Sequence, residues 1–273
     1  MSKMVACIPV RNEEHVLEQF FKSLFDFVDE AVVVDDGSTD STPLIIQKYH
    51  KNIKMVHTNP QGTRPFNNGL ESSNRNRLLE MARLLQADWV LQIDSDEFLQ
   101  DTFKNEIPLL LKRGCSTKLQ IVNIWDLDQE GNLRFRVDGE HGCFYRYRLY
   151  RLLPRLRFSP QPLIATPKAF DRKNRYKCEK VKIVHFGWCQ DSRIKHLKQY
   201  YEVYKMQNLK NVISFEEFQN NSEIQNNMRI VEQDNHSIKL ATWHQVFGDT
   251  KEQDKYTRIY NEIQKYWKDK GSL

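Results

Sequence analysis

Short apolar β-type runs alternate with helical stretches through the first hundred residues, and this alternation leaves few architectures open. "MVACIPV" (4–10), "EAVVVDD" (30–36), "IKMVHT" (53–58) and "DWVLQID" (88–94) read as four strands. The second is β-branched without a polar alternation, as a strand buried on both faces requires. Between them, Asn12 opens an amphipathic stretch whose Val16, Leu17, Phe20, Phe21, Leu24 and Phe25 recur at helical spacing. Pro43 falls where a first helical turn tolerates it. A Gly/Asn/Pro-rich loop is expected over 59–73, then a helix from about Asn74 to Leu85. Strand–helix repetition with buried strands predicts a parallel, doubly wound α/β sheet.

Beyond Asp96 the pattern changes. A helix near 101–113 ends at Gly114, and strands are expected in "TKLQIVNIWDL", "GNLRFRV", "YRYRLYRLL" and "KVKIVHFGW". Their alternation suits a mixed sheet with one exposed face. From Ser192 the sequence reads as helical, over 192–211 and 250–269, with a polar region near 214–235 between them. The expected organisation is an α/β domain over 1–190, split into halves 1–99 and 100–190, followed by a helical extension over 191–273.

Hydrophobic residues make up 40% and charged residues 28%, a globular composition. No apolar run approaches the ~18–20 residues of a membrane helix, and the start lacks the pattern of a secretory leader. A cytoplasmic location is expected, with peripheral membrane contact left open. The five cysteines are scattered, without a CxxC pair, as in a reducing compartment. Cys178, His185 and Cys189 lack a fourth ligand at usable spacing for zinc. The net charge of +5 is uneven, because residues 134–182 alone carry 14 basic and four acidic side chains. Such a segment either faces an anionic partner or is a solvated surface.

In parallel sheets ligands bind beyond the carboxyl ends of the strands. Three predicted strands continue there as "IPVRNEE", "VVVDDGSTDS" and "LQIDSDEFL". Asp94 and Asp96 directly follow a buried strand, and carboxylates this close repel unless a cation neutralises them. A hard divalent ion shared with phosphate oxygens accounts for the pair.

The segments "VACIPVRNEEHVLEQFFKSL", "VVVDDGSTDST", "NRNRLLEMARLLQADWVLQIDSDEF" and, more loosely, "VKIVHFGW" resemble, in order and spacing, a family 2 glycosyltransferase of the GT-A fold. The resemblance implies transfer of a sugar from a nucleotide-sugar, UDP-type favoured, to an acceptor hydroxyl, inverting and dependent on Mn2+ or Mg2+. It implies that Pro9, Arg11 and Glu13 line the loop beside the nucleotide, that Asp36 accepts a hydrogen bond from a uracil-type base, and that Arg75 stands on the nucleotide side. Asp94 and Asp96 match the DxD motif, with Asp96 on the metal and Asp94 facing the ribose or a metal-bound water. His185 is either a further metal or diphosphate ligand or a histidine satisfied inside the fold.

An inverting transfer also needs a general base on the acceptor side. Asp138 and Glu140 in "RVDGEHG" are the candidates; Asp138 also reads as the corner of a tight turn, which favours Glu140. Arg146, Arg148 and Arg151 are expected on the acceptor face. Strand alternation would put the first two on one side and Arg151 on the other. The acceptor is expected to be a saccharide or lipid-linked saccharide. Arginines interleaved with aromatics also suit a hydroxymethylated DNA base. A non-catalytic module that binds nucleotide-sugar is the third reading, and the intact Asp36, Asp94 and Asp96 oppose it.

Overall fold

The computed structural model describes residues 2–61, 68–138, 142–159, 166–168, 175–187, 189, 213–214, 216–217 and 239–270. Along the first part of the chain run β1 (Met4–Val10), α1 (Leu17–Leu24), β2 (Glu30–Asp35), α2 (Thr42–Lys48), β3 (Ile53–Thr58), α3 (Asn68–Leu84) and β4 (Trp89–Gln92). There follow β5 (Glu97–Leu99), α4 (Thr102–Arg113), β6 (Ser116–Leu127), β7 (Leu133–Arg136), β8 (Cys143–Arg151), β9 (Arg157–Ser159), β10 (Thr166–Lys168) and β11 (Arg175–His185). The chain then gives β12 (Leu240–Thr242), α5 (Trp243–Phe247) and α6 (Gln253–Asp269).

The main sheet has the order β12-β7-β6-β8-β4-β1-β2-β3, with β11 between β6 and β5. β1, β2, β3 and β4 are mutually parallel. Two antiparallel steps through β8 return β6 to the same direction, and β11 is parallel to β6. These six strands therefore share one carboxyl edge, in a mixed α/β sheet as expected.

β1 and β2 are buried on both faces, which explains their unbroken apolar runs. Ala6, Ile8 and Val10 join α1's Leu17, Phe20 and Phe21 in one core, while Val5 and Cys7 join α3's Leu78 and Leu79 in the other. The predicted helices hold with shifted starts. α1 begins at Leu17, because Asn12 takes a left-handed φ of 54° and commits its side chain to a neighbouring loop. α3 begins six residues before Asn74, where the Glu71–Arg75 pair supports the added turn.

The described tail carries the helix expected near its end as α6 and adds a strand to the sheet. β12 pairs with β7 at the sheet edge. Tyr256, Ile259, Tyr260 and Ile263 of α6 enter the same core as α1, and Tyr256 donates to the carbonyl of Leu99 at 3.0 Å. The predicted helix over 192–211 lies outside the described residues.

Candidate active site

Two loops at the common carboxyl edge lock each other in place. The Asn12 N–H donates to Ser38 Oγ at 2.9 Å, and Asn12 Oδ1 accepts from the Thr39 N–H at 2.8 Å. The Glu13 N–H donates to Thr42 Oγ1, and Glu14 accepts from the Ser41 N–H at 2.7 Å. With both loops fixed, Arg11 lies 3.9 Å from Asp36 Oδ2.

The adjacent aspartates divide two tasks that the sequence left undivided. Asp35 is buried and accepts from the Ser38 N–H, which caps the turn. Asp36 faces the edge, where Asn59 Nδ2 donates to its Oδ1 at 2.7 Å and also to Asn74 Oδ1 at 2.9 Å. Asn59 thus aims Asp36 while leaving Oδ2 toward Arg11. Pro9 sits on β1 beside Val34. Glu13 serves the start of α1 through its carbonyl, and its carboxylate lies 3.7 Å from His15.

Beyond β4 the chain builds a charge network. Arg75 donates from Nε to Glu71 and from NH2 to Asp94 Oδ1, at 2.9 and 3.1 Å, and its buried NH1 has no hydrogen-bond partner among the described residues. Arg148 donates to Asp94 Oδ2 at 3.2 Å and to Glu97 Oε1. Burial alone would raise the Asp94 carboxyl's pKa, but the guanidinium groups of Arg75 and Arg148 outweigh it and hold it below the ordinary range. Glu97, only 2% exposed, is pushed upward because burial exceeds the pull of Arg148.

Arg148 therefore stands in the DxD network, which corrects its assignment to an open acceptor face. A register shift explains how. Thr117 pairs with Leu149 but Lys118 pairs with Tyr147, so Arg148 is the extra residue of a β-bulge. The bulge also reverses alternation: Phe144 packs on the first core and Tyr147 on the second, yet Leu149 returns to the first and Tyr150 to the second. Arg146 and Arg148 thus do not share a face; Arg146 lies over the ring of Phe144 at 4.8 Å. Arg151 is exposed beside Trp89, at the amino end of β4 and away from the common edge. Asp138 accepts from Arg136 Nε at 3.2 Å. Glu140 lies outside the described residues.

Asp96 and His185 meet across the edge, with Asp96 Oδ2 3.3 Å from His185 Nε2. Burial would lower the pKa of the imidazole, but the facing Asp96 carboxylate raises it. A Cβ built at Gly187 would lie 2.5 Å from both Asp96 Oδ2 and His185 Nε2. Glycine keeps open a cradle between two metal-type donors. Among the described residues, no group of three or more His, Cys, Asp or Glu side chains is placed to hold a metal. The cradle therefore fits a cation that takes its remaining ligands from phosphate and water, the habit of Mg2+ and similar ions. Cys178 and Cys189 are buried in the apolar core, away from a zinc role.

Asn59, Glu97, Asn123 and Gly187 were not singled out from the sequence. Glu97 directly follows the DSD triplet, and Asn123 is a polar residue inside the apolar run "IVNIW"; those were the available signals.

A mixed sheet with paired carboxylates, an arginine and a histidine gathered at one carboxyl edge is the arrangement of a GT-A glycosyltransferase domain. The sequence profile of glycosyl transferase family 2 matches residues 5–169, and the chain belongs to this family. A TPR repeat-containing protein of Synechococcus elongatus is 34% identical over 99 residues, 36% of this chain and 22% of that protein. The poly(ribitol-phosphate) beta-N-acetylglucosaminyltransferase TarS of Staphylococcus aureus is 32% identical over 111 residues, 38% of this chain and 18% of that protein. The chain thus spans about a fifth of the length of these curated relatives. Among solved structures, TarS 1–349 aligns over 96% of this chain and 80% of its own, at 16% identity and a TM-score of 0.44. Glucosyl-3-phosphoglycerate synthase from Mycobacterium tuberculosis, crystallised with Mn2+, UDP and phosphoglyceric acid, aligns over 45% of this chain and 43% of its own, at 25% identity and a TM-score of 0.31.

Proposed function

We propose that the chain transfers a sugar from a UDP-type nucleotide-sugar to an acceptor hydroxyl, with inversion, and that Asp96 and His185 hold Mn2+ or Mg2+. The observation that carries this reading is the cradle between Asp96 and His185, kept open by Gly187 at the carboxyl edge that also carries Asp36 and the Arg75–Asp94 pair.

Asp36 accepts from the nucleobase, oriented by Asn59. Arg75 offers its unpartnered NH1 to the nucleotide, while Asp94 and Glu71 hold the rest of its guanidinium. Asp94, with Oδ1 held by Arg75 and Oδ2 by Arg148, offers its remaining lone pairs to the ribose or a bound water. A bound divalent ion supplies Lewis acidity for the charge that develops on the departing diphosphate. The sugar passes through an oxocarbenium-like state, and a carboxylate on the opposite side accepts the proton of the attacking hydroxyl. Glu140 is the better candidate for that base, because the Asp138 carboxylate is engaged by Arg136.

The acceptor is a saccharide, lipid-linked or polymeric. The Staphylococcus relative is named for poly(ribitol-phosphate), which favours a polymeric acceptor. The DNA reading loses weight, since Arg134, Arg136 and Arg148 are already paired with Asp126, Asp138 and the Asp94–Glu97 network. Among the described residues no helix is long and apolar enough to cross a membrane.

Thermal shift across nucleotide-sugars, with and without Mn2+, tests this reading, because a ligand that binds only the folded chain raises its apparent stability. A UDP-sugar should raise Tm more with Mn2+ than without it, and the same donor should be hydrolysed slowly without acceptor. No stabilisation by any nucleotide with Mn2+ present would contradict it.

A further inference from the structure

A fully buried asparagine outside the segments that carry the family resemblance touches the histidine of the cradle. Asn123 lies on β6 directly beside His185 on β11 in the parallel register. Its Nδ2 donates to the carbonyl of Gly142 at 3.3 Å, and its Oδ1 lies 2.6 Å from His185 Nδ1. The Gly142 carbonyl can only accept, so it fixes which end of the amide points each way. Turning the amide over would set two carbonyl oxygens against each other inside the protein. Gly142 is itself pinned: a Cβ there would lie 2.5 Å from the Asp138 carbonyl oxygen.

With Oδ1 facing it, His185 Nδ1 must be the nitrogen that donates. In a neutral imidazole the other nitrogen then carries the lone pair. Nε2 is the nitrogen that faces Asp96 Oδ2 and the gap at Gly187. Without Asn123 the preference reverses, since Nε2–H would donate to the Asp96 carboxylate and close the cradle.

We propose that Asn123 is a positioning residue that holds His185 as its Nδ1–H tautomer, presenting the Nε2 lone pair beside Asp96 to a divalent cation. This rests on the metal reading of the Asp96–His185 pair. Through Gly142 it also ties that pair to the backbone of the segment that carries Asp138. Loss of a group that orients a metal-bound histidine typically costs ~10–100-fold in metal affinity.

The test starts without metal. Imidazole 15N shifts of the full chain, recorded above the ring's own titration, should show His185 as Nδ1–H in the wild type. Asn123→Asp, which keeps an acceptor at this position, should retain that tautomer, and Asn123→Leu should lose it. With UDP present, Mn2+ affinity followed by its paramagnetic signal should fall at least ~10-fold in Asn123→Leu and much less in Asn123→Asp. An Nε2–H ring in the wild type would overturn the proposal without any variant having to fold. So would an unchanged tautomer in Asn123→Leu. An Nδ1–H ring in a wild type that binds no Mn2+ would instead refute the metal reading and leave the tautomer assignment standing.

Discussion

The two halves of the sheet use charge in opposite ways. On the donor side, β1, β2 and β4 deliver Asp36, Asp94 and Asp96 to one edge, and interlocked loops fix them there. On the basic side, charge density in the sequence does not map onto one surface. Arg148 is buried in the donor-side network, Arg136 is buried against Asp138, Arg146 lies over Phe144, and Arg151 is exposed at the far edge. A parallel strand-end is a position in space that sequence order predicts, whereas a run of arginines is only a count until the strand register is known.

The comparison is sharpest at Arg148 and Arg151, three residues apart. Arg148→Ala should cost about 3–5 kcal/mol in denaturant unfolding, because it removes the cation facing buried Glu97 and one oxygen of Asp94, leaving Glu97 only the Asp94 N–H. Arg151→Ala should stay within about 0.5 kcal/mol. Equal effects would mean that the bulge does not aim Arg148 inward.

Asp96→Ala should lower kcat/KM about 10²–10³-fold and abolish Mn2+-dependent stabilisation by nucleotide, while the fold survives. Its side chain is partly exposed and contributes little packing. Steady-state kinetics beside circular dichroism separate these effects, and near-normal turnover would remove Asp96 from the chemistry.

Glu14 extends the comparison to the tail. Tyr266 of α6 donates to it, burial partly opposes that hydrogen bond, and its carboxyl is held down at about 2. A depressed folded pKa contributes stability that is complete above the ordinary carboxylate range near 4.5 and disappears as pH falls toward 2. That contribution is on the order of 2 kcal/mol for a side chain this buried. In unfolding titrations Glu14→Gln should be less stable at neutral pH and less sensitive across that acid window. Parallel pH curves would show that Tyr266 does not hold Glu14 ionised.

Asp36→Ala should raise the donor KM about tenfold with little change in kcat, since it removes contact to a remote part of the donor. An unchanged KM would reduce Asp36 to a turn residue like Asp35.

The donor edge was legible because each element carried its own signal. Apolar runs marked the buried strands, and the polar residues following them marked the loops at their carboxyl ends. What stayed hidden depended on pairing between distant strands. The bulge that redirects Arg148 exists only in the register of β8 against β6, and Asn123 meets His185 only because β6 and β11 lie side by side. Gly187 was quoted within a motif, yet its role rests on a distance to Asp96, ninety-one residues earlier in the chain. In the tail the helix expected over 250–269 is present as α6, whereas the three-residue β12 is too short to declare itself without its partner β7.

Asp96 and His185 are proposed to frame a cation cradle which Gly187 keeps free of any side chain. Calorimetric titration of UDP into wild type and Gly187→Ala, each with and without Mn2+, tests it directly. The wild type should bind UDP at least about tenfold more tightly with Mn2+ than without it. Gly187→Ala should bind metal-free UDP like the wild type yet gain nothing from Mn2+, because the added methyl occupies the position of the ion. An equal gain from Mn2+ in both proteins would contradict the cradle and place the metal elsewhere.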